Sequence, residues 1–181
     1  MKFKFPLILL FVDQFTKWVA MEFNPTLKIR ASNLGISYFK STGYLFGIFM
    51  LIPYQKWLVI LIILIDLFIL QLFFRFYWHN FRRNKLSENA FYFIIAGLIG
   101  NSFDFVVFRY VRDFIILPWI KATNLADIFL ITGLFLILIE FWINIEFRKN
   151  LLKLKSLKQE WKLLFSLFEF VVQDIRRFMH R

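Results

Sequence analysis

An all-α membrane protein is the fold class this sequence predicts, with four transmembrane helices, a small extracytoplasmic β element and a C-terminal amphipathic helix. Three observations predict it. Of 181 residues, 60% are hydrophobic, above the roughly 45–50% apolar share of soluble domains. Long apolar runs alternate with short polar or basic segments, the pattern of a polytopic membrane chain. Asp and Asn side chains gather at the ends of those runs, and ionisable groups in or near lipid are costly enough to mark a functional site.

Composition also removes alternatives. The chain has no Cys, which excludes disulfides, thiol catalysis and Cys-ligated metals. His79 and His180 lie in basic stretches away from the acidic residues. A His-based metal site or a Ser-His-Asp triad is therefore not expected, and no metal or cofactor is called for. The net charge of +11 would suggest nucleic acid in a soluble domain. In a membrane chain it reports orientation, because Lys and Arg collect in the cytoplasm.

The first span is expected at about 5–22. Lys2 and Lys4 precede it, and no small-residue cleavage site follows. Asp13, Thr16 and Lys17 share one helix face, which in lipid turns to protein or water. Asp13 and Lys17 form either part of a site or a salt bridge near the membrane surface. Residues 25–50 change character, with Asn, Gly, Ser and Thr among alternating apolar residues, and predict the β element. It ends in a Gly-rich re-entry through 43–49.

The second span covers 56–75 and holds Asp66 at its middle. Asp66 either joins the site or stands alone, hydrogen-bonded or protonated. Arg75, Arg82, Arg83 and Lys85 then make the strongest basic loop, which belongs in the cytoplasm. The third span covers 90–108, where Ala96, Gly97 and Gly100 permit close packing. Asn101 and Asp104 lie one turn apart on one face. Residues 109–124 are expected as an outer loop carrying Asp113, and 125–146 as the fourth span, opened by Asn124 and Asp127. Residues 1–147 form the membrane domain. Residues 148–181 are a basic tail whose apolar residues repeat with helical spacing, which suits a helix on an anionic inner leaflet. Four spans put both termini in the cytoplasm and bring the Asp and Asn residues to the outer face.

At the level of motifs, the chain resembles the lipoprotein signal peptidase, or signal peptidase II, family. Asp13-Gln14-Phe15-Thr16-Lys17 matches the first motif, and Ser41-Thr42-Gly43-Tyr44-Leu45-Phe46-Gly47 the second. Gly100-Asn101-Ser102-Phe103-Asp104-Phe105 and Val111-Arg112-Asp113-Phe114 match the third, and Asn124-Leu125-Ala126-Asp127 the fourth. Asn33-Leu34-Gly35 competes for the second motif, but the Gly-x-x-Phe-Gly after Ser41 fits better. Order and spacing agree from about residue 8 to about 145. Three departures stand out: Ser41 replaces an Asn, Phe105 replaces an Arg after Asp104, and Arg109 stands where Gly is usual. Arg109 or Arg112 is the candidate to restore the lost charge.

The resemblance implies an aspartic endopeptidase with Asp113 and Asp127 as the catalytic dyad. Asp13, Lys17, Ser41, Gly43, Asn101, Asp104 and Asn124 are the supporting or substrate-binding residues, with Asp13 as an anchor for the β element. It also implies prolipoprotein substrates cut before a diacylglyceryl-modified Cys, with membrane lipids as the other partners. The expected protein is a monomer of the bacterial cell membrane that binds no nucleic acid. Two carboxylates sharing one site hold one proton between them. Asp113 and Asp127 should then lie close enough to share a proton or a water. The alternatives are a divergent or inactive relative, a small proton or ion transporter with Asp13, Asp66, Asp104 and Asp127 as its relay, and a membrane assembly factor.

Overall fold

A computed structural model describes residues 4–29, 34–41, 56–80, 83–118 and 120–143, with Glu169. The chain runs α1 (Lys4–Phe23), β1 (Thr26–Ile29), β2 (Leu34–Ser41), α2 (Lys56–Asn80), α3 (Lys85–Phe108), β3 (Val111–Leu117), β4 (Ile120–Thr123) and α4 (Leu125–Ile143). The Gly43–Gly47 re-entry, the last residues of the expected fourth span and the amphipathic tail lie outside the described residues, apart from Glu169.

Three helices among the described residues are long and apolar enough to cross a membrane: α2 over Ile60–Trp78, α3 and α4. The 20-residue α1 is not among them, because Asp13 and Lys17 interrupt its apolar run. Its surface is nevertheless inverted relative to a soluble helix. Asp13, Lys17 and Ala20 are buried, whereas Leu7, Ile8, Phe11, Phe15 and Trp18 are exposed.

Helix α3 begins at Lys85, five residues before the expected start at 90. The reason is a capping box, in which Ser87 N–H donates to Asn84 Oδ1 at 2.8 Å and Asn84 N–H donates to Ser87 Oγ at 3.4 Å. Helix α2 meanwhile continues to Asn80, so much of the expected basic loop is helical. At its other end α3 stops at Arg109, whose φ of 68° is left-handed. Glycine adopts that backbone freely, whereas a side chain costs about 1–2 kcal/mol there. The Arg109 departure is therefore a helix cap held at a cost.

Small residues set the α3–α4 contact. A Cβ on Gly97 would lie 2.5 Å from the Ala126 carbonyl oxygen, and one on Gly133 would lie 2.5 Å from Ile94 Cγ1. Such close backbone approach is how helices pack in lipid, where dispersion replaces the hydrophobic drive. Phe74, Ala90 and Ile94 form the core between α2 and α3, with Leu130, Leu136 and Ile137 of α4 against it. A second cluster, Ile63, Phe105 and Val111, seals α2 and α3 against β3.

The four strands form one antiparallel sheet in sequence order. Residues 109–124, expected as a loop, are corrected to β3 and β4. The first four residues of β3 are all buried, so the strand lacks the polar-apolar alternation that identifies a half-exposed one. The sheet therefore has two halves from distant parts of the chain, joined where β2 pairs with β3. That junction brings Ser41 beside Val111 and Phe39 beside Asp113.

Candidate active site

Polar side chains of α1, α3, β3 and α4 meet at the sheet end of the helices. Lys17 is at the centre, fully buried. Its ammonium lies 2.9 Å from Asp13 Oδ2 and 3.4 Å from Asp104 Oδ2, and it donates to Asn101 Oδ1 at 3.0 Å. Three partners match the three N–H bonds of an ammonium, which is how a cation survives full burial. The Asp13–Lys17 pair is thus an ion pair buried inside the protein and joined to α3.

Asp13 accepts a second bond from the backbone N–H of Ala126 at 2.9 Å. It holds the first turn of α4, where the expectation was an anchor for the β element. Gln14 extends the network: its amide donates to Asp13 Oδ2 at 3.0 Å and to the Gly100 carbonyl at 3.1 Å, and its oxygen accepts from Arg112 Nη2 at 2.7 Å.

Arg112 settles the question of the displaced charge. Its Nη2 donates to Asp104 Oδ1 at 2.7 Å and its Nε to Asp104 Oδ2 at 3.2 Å, the two-pronged arrangement guanidinium favours. Phe105 fills the apolar cluster with Ile63 and Val111, so the helix position carries packing and the strand supplies the cation. Arg109 is exposed at the cap.

Asp113 and Asp127 have different surroundings. Asp113 Oδ1 accepts from Asn124 Nδ2 at 2.6 Å, and Ser41 also hydrogen-bonds this carboxylate. Asp127 Oδ1 accepts from Asn101 Nδ2 at 2.7 Å, and Oδ2 from Thr123 Oγ1 at 2.9 Å. Asn124 links the two, since its Oδ1 accepts the backbone N–H of Asp127 at 3.1 Å. Every one of these donors is neutral, and among the described residues no cation pairs directly with either acid.

Burial pushes Asp113 up to about 6, with the Asn124 bond opposing and the charge of Asp127 adding to the rise. The repulsion from Asp127 is what two acids sharing one region produce. Asp127 lies in the first turn of α4, where helix dipoles favour a negative charge.

The sequence-predicted residues Asp13, Lys17, Ser41, Asn101, Asp104, Asp113, Asn124 and Asp127 all belong to this cluster. Gly43 lies outside the described residues. Ser41, matched to the second motif, contacts Asp113, and the competing Asn33 lies outside the described residues. Asp66 does not join, and its Oδ2 is buried without a hydrogen-bond partner among the described residues. Gln14 and Thr123 were missed, although each adjoins a motif residue, Asp13 or Asn124. Tyr38 and Tyr110, whose hydroxyls are 3.2 Å apart, were also missed and carried no sequence signal.

Apolar helices packed through glycine, a sheet at one end and a buried acid cluster between them define a membrane protein with a polar site at the sheet end. Residues 5–143 match the family model described as Signal peptidase (SPase) II. The lipoprotein signal peptidase of Wigglesworthia glossinidia brevipalpis is 37% identical over 135 residues, covering 71% of this chain and 84% of the relative. That of Caldicellulosiruptor bescii is 31% identical over 128 residues, covering 70% and 80%. A bacterial membrane enzyme solved by the in meso method at 2.3 Å shares the fold, with a TM-score of 0.64 and 22% identity over 79% of this chain and 88% of its own. The chain belongs to the signal peptidase II family, which is a family of proteases.

Proposed function

We propose that this protein is a membrane aspartic endopeptidase that removes signal peptides from prolipoproteins, cutting before a diacylglyceryl-modified Cys. The observation that carries this reading is the contrast within the acid cluster. Asp13 and Asp104 are neutralised by Lys17 and Arg112. Among the described residues, Asp113 and Asp127 accept hydrogen bonds from neutral amide and hydroxyl donors and form no ion pair, which suits two acids that handle a proton between them.

In this mechanism the pair holds one proton. The ionised carboxyl takes a proton from water as it attacks the scissile carbonyl, and the protonated one donates to the carbonyl oxygen. A proton then passes to the leaving amine. The two acids titrate as a unit, so the proton belongs to the pair. Asn124 and Ser41 orient Asp113, while Asn101 and Thr123 orient Asp127. The three departures from the family pattern are each accommodated, Ser41 by bonding Asp113, Phe105 by packing and Arg109 by capping.

Four spans, with α1 as the fourth, suit the inverted polarity of that helix. Its exposed apolar face meets lipid and its charges meet protein. The positive residues at 2–4, 75–85 and in the tail then lie in the cytoplasm and the site at the outer face. Acyl chains of the substrate lie against the spans, and the enzyme works as a monomer.

The test uses the purified chain in lipid nanodiscs and a synthetic peptide with a diacylglyceryl Cys, with products identified by mass spectrometry. Cleavage is expected immediately before the lipidated Cys. Asp113→Asn and Asp127→Asn should each lower the rate on the order of 10²–10⁴-fold. Cleavage at the wild-type rate by both variants would refute the dyad.

A further inference from the structure

Asp113 stands on a strand, and its partners Ser41 and Asn124 both lie outside that strand. Something must fix β3 against the helices for the carboxyl to be aimed reproducibly. The sheet itself does this weakly. The β2–β3 register shifts between Ile36 and Phe39, and the β3–β4 register shifts between Ile115 and Leu117. At each shift the ladder is locally disrupted and the strand bends, so the sheet's hydrogen bonds alone do not aim every β3 side chain.

The neighbouring residue supplies the missing restraint. The Arg112 backbone N–H donates to Asp104 Oδ2 at 2.9 Å, and its side chain grips the same carboxylate through Nε and Nη2. Its Nη2 also donates to Gln14 of α1, and its guanidinium lies 4.3 Å from the centroid of the Phe108 ring. One residue thus ties β3 to both α1 and α3.

Successive strand side chains point to opposite faces. With Arg112 committed to Asp104, Asp113 is directed the other way, toward Ser41 and Asn124. A slip of one residue would set a carboxylate against Asp104 and a guanidinium among the neutral donors. The alternating cation and acid therefore form a register lock.

We propose that Arg112 is a positioning residue that sets the aim of Asp113 by locking β3 to Asp104 and Gln14. Its catalytic consequence rests on the peptidase reading, whereas its positional consequence does not. Two measurements separate them.

The chain has no Cys, so Asp113→Cys with Asn124→Cys gives a clean thiol pair in native membranes. Dibromobimane, a short thiol cross-linker, should join them efficiently. Adding Arg112→Gln should cut the yield several-fold at equal folded protein, and an unchanged yield would overturn the proposal. In the otherwise native chain, Arg112→Gln should lower kcat on the order of 10²-fold, the effect of a misplaced reacting group. KM should stay within about twofold. Arg112→Lys should recover part of the loss, because an ammonium still reaches Asp104. A kcat within about twofold of wild type, or a loss confined to KM or to the amount of folded protein, would contradict the proposal. If the wild-type chain does not cut the lipopeptide, the peptidase reading fails while the cross-link still decides the role of Arg112.

Discussion

Two pairs of aspartates share the sheet end of this protein and are treated in opposite ways. Asp13 and Asp104 are fully buried and held by Lys17 and Arg112. Asp113 and Asp127 are held by Asn124, Ser41, Asn101 and Thr123. A carboxylate clasped by a cation has a matching charge beside it in the interior, so it can orient and tie elements together. A carboxylate held by neutral donors is oriented without being committed to one charge. Lys17 and Asn101 show how the halves connect. The ammonium occupies the Asn101 oxygen, which leaves the amide N–H free to face Asp127. The charged half thus sets the donor directions of the neutral half.

The largest effect comes from breaking the charged half. Asp104→Asn leaves Arg112 and Lys17 short of their counter-charge in the interior. Removal of one partner of a buried pair costs about 3–5 kcal/mol. A fall of the thermal midpoint in nanodiscs checks it, and unchanged stability would make the pairing dispensable. Gly100→Ala tests the same half by crowding. A Cβ there would lie 2.6 Å from Asp13 Oδ2 and 3.2 Å from the Ala126 Cβ. Overpacking of this kind costs about 1–3 kcal/mol, readable in the same melts.

The smallest effect sharpens the comparison at the opposite end of the helices. Glu140 is buried and accepts from Tyr77 at 3.2 Å and Asn84 Nδ2 at 2.5 Å, again neutral donors. It has no second acid in contact among the described residues. Glu140→Gln keeps an acceptor for both donors, so stability should move by no more than about 1 kcal/mol and cleavage should be unchanged. Loss of cleavage would mean that neutral donors alone mark a working acid, without the second carboxyl.

Three of the expected spans, α2, α3 and α4, and the acids were legible in the sequence because lipid imposes long apolar runs and makes each Asp within them conspicuous. The order of Asp13, Asn101, Asp104, Asp113, Asn124 and Asp127 likewise gave the cluster. Strands β3 and β4 were not legible, since the first four residues of Val111–Leu117 are all buried with the charged Arg112 and Asp113 side by side among them, which leaves no period-two pattern to read. The choice between Arg109 and Arg112 needed three dimensions. Arg109 ends a helix in left-handed backbone, while Arg112 is turned inward by the strand that follows. The i, i+4 spacing offered Asp13 with Lys17, but the cations on Asp104 were hidden, because Lys17 and Arg112 reach it from other elements.

The proposed proton exchange at Asp113 comes at a cost to the fold. Its carboxyl is raised from 3.8 to about 6, chiefly by burial. A raised folded value means that this group's stabilising contribution is complete below the unfolded value and is lost as pH rises through about 6. Above that pH the buried charge works against the fold, and an amide in its place does not. The direct measurement is the thermal midpoint and the lipopeptide cleavage rate of Asp113→Asn, taken on one nanodisc sample at about pH 7.5 and again near about pH 4. A higher midpoint than wild type is expected at the upper pH, a gain that shrinks toward the lower pH, and a cleavage rate lowered on the order of 10²–10⁴-fold. A variant that melts lower than wild type at the upper pH and still cleaves at the wild-type rate would contradict this expectation.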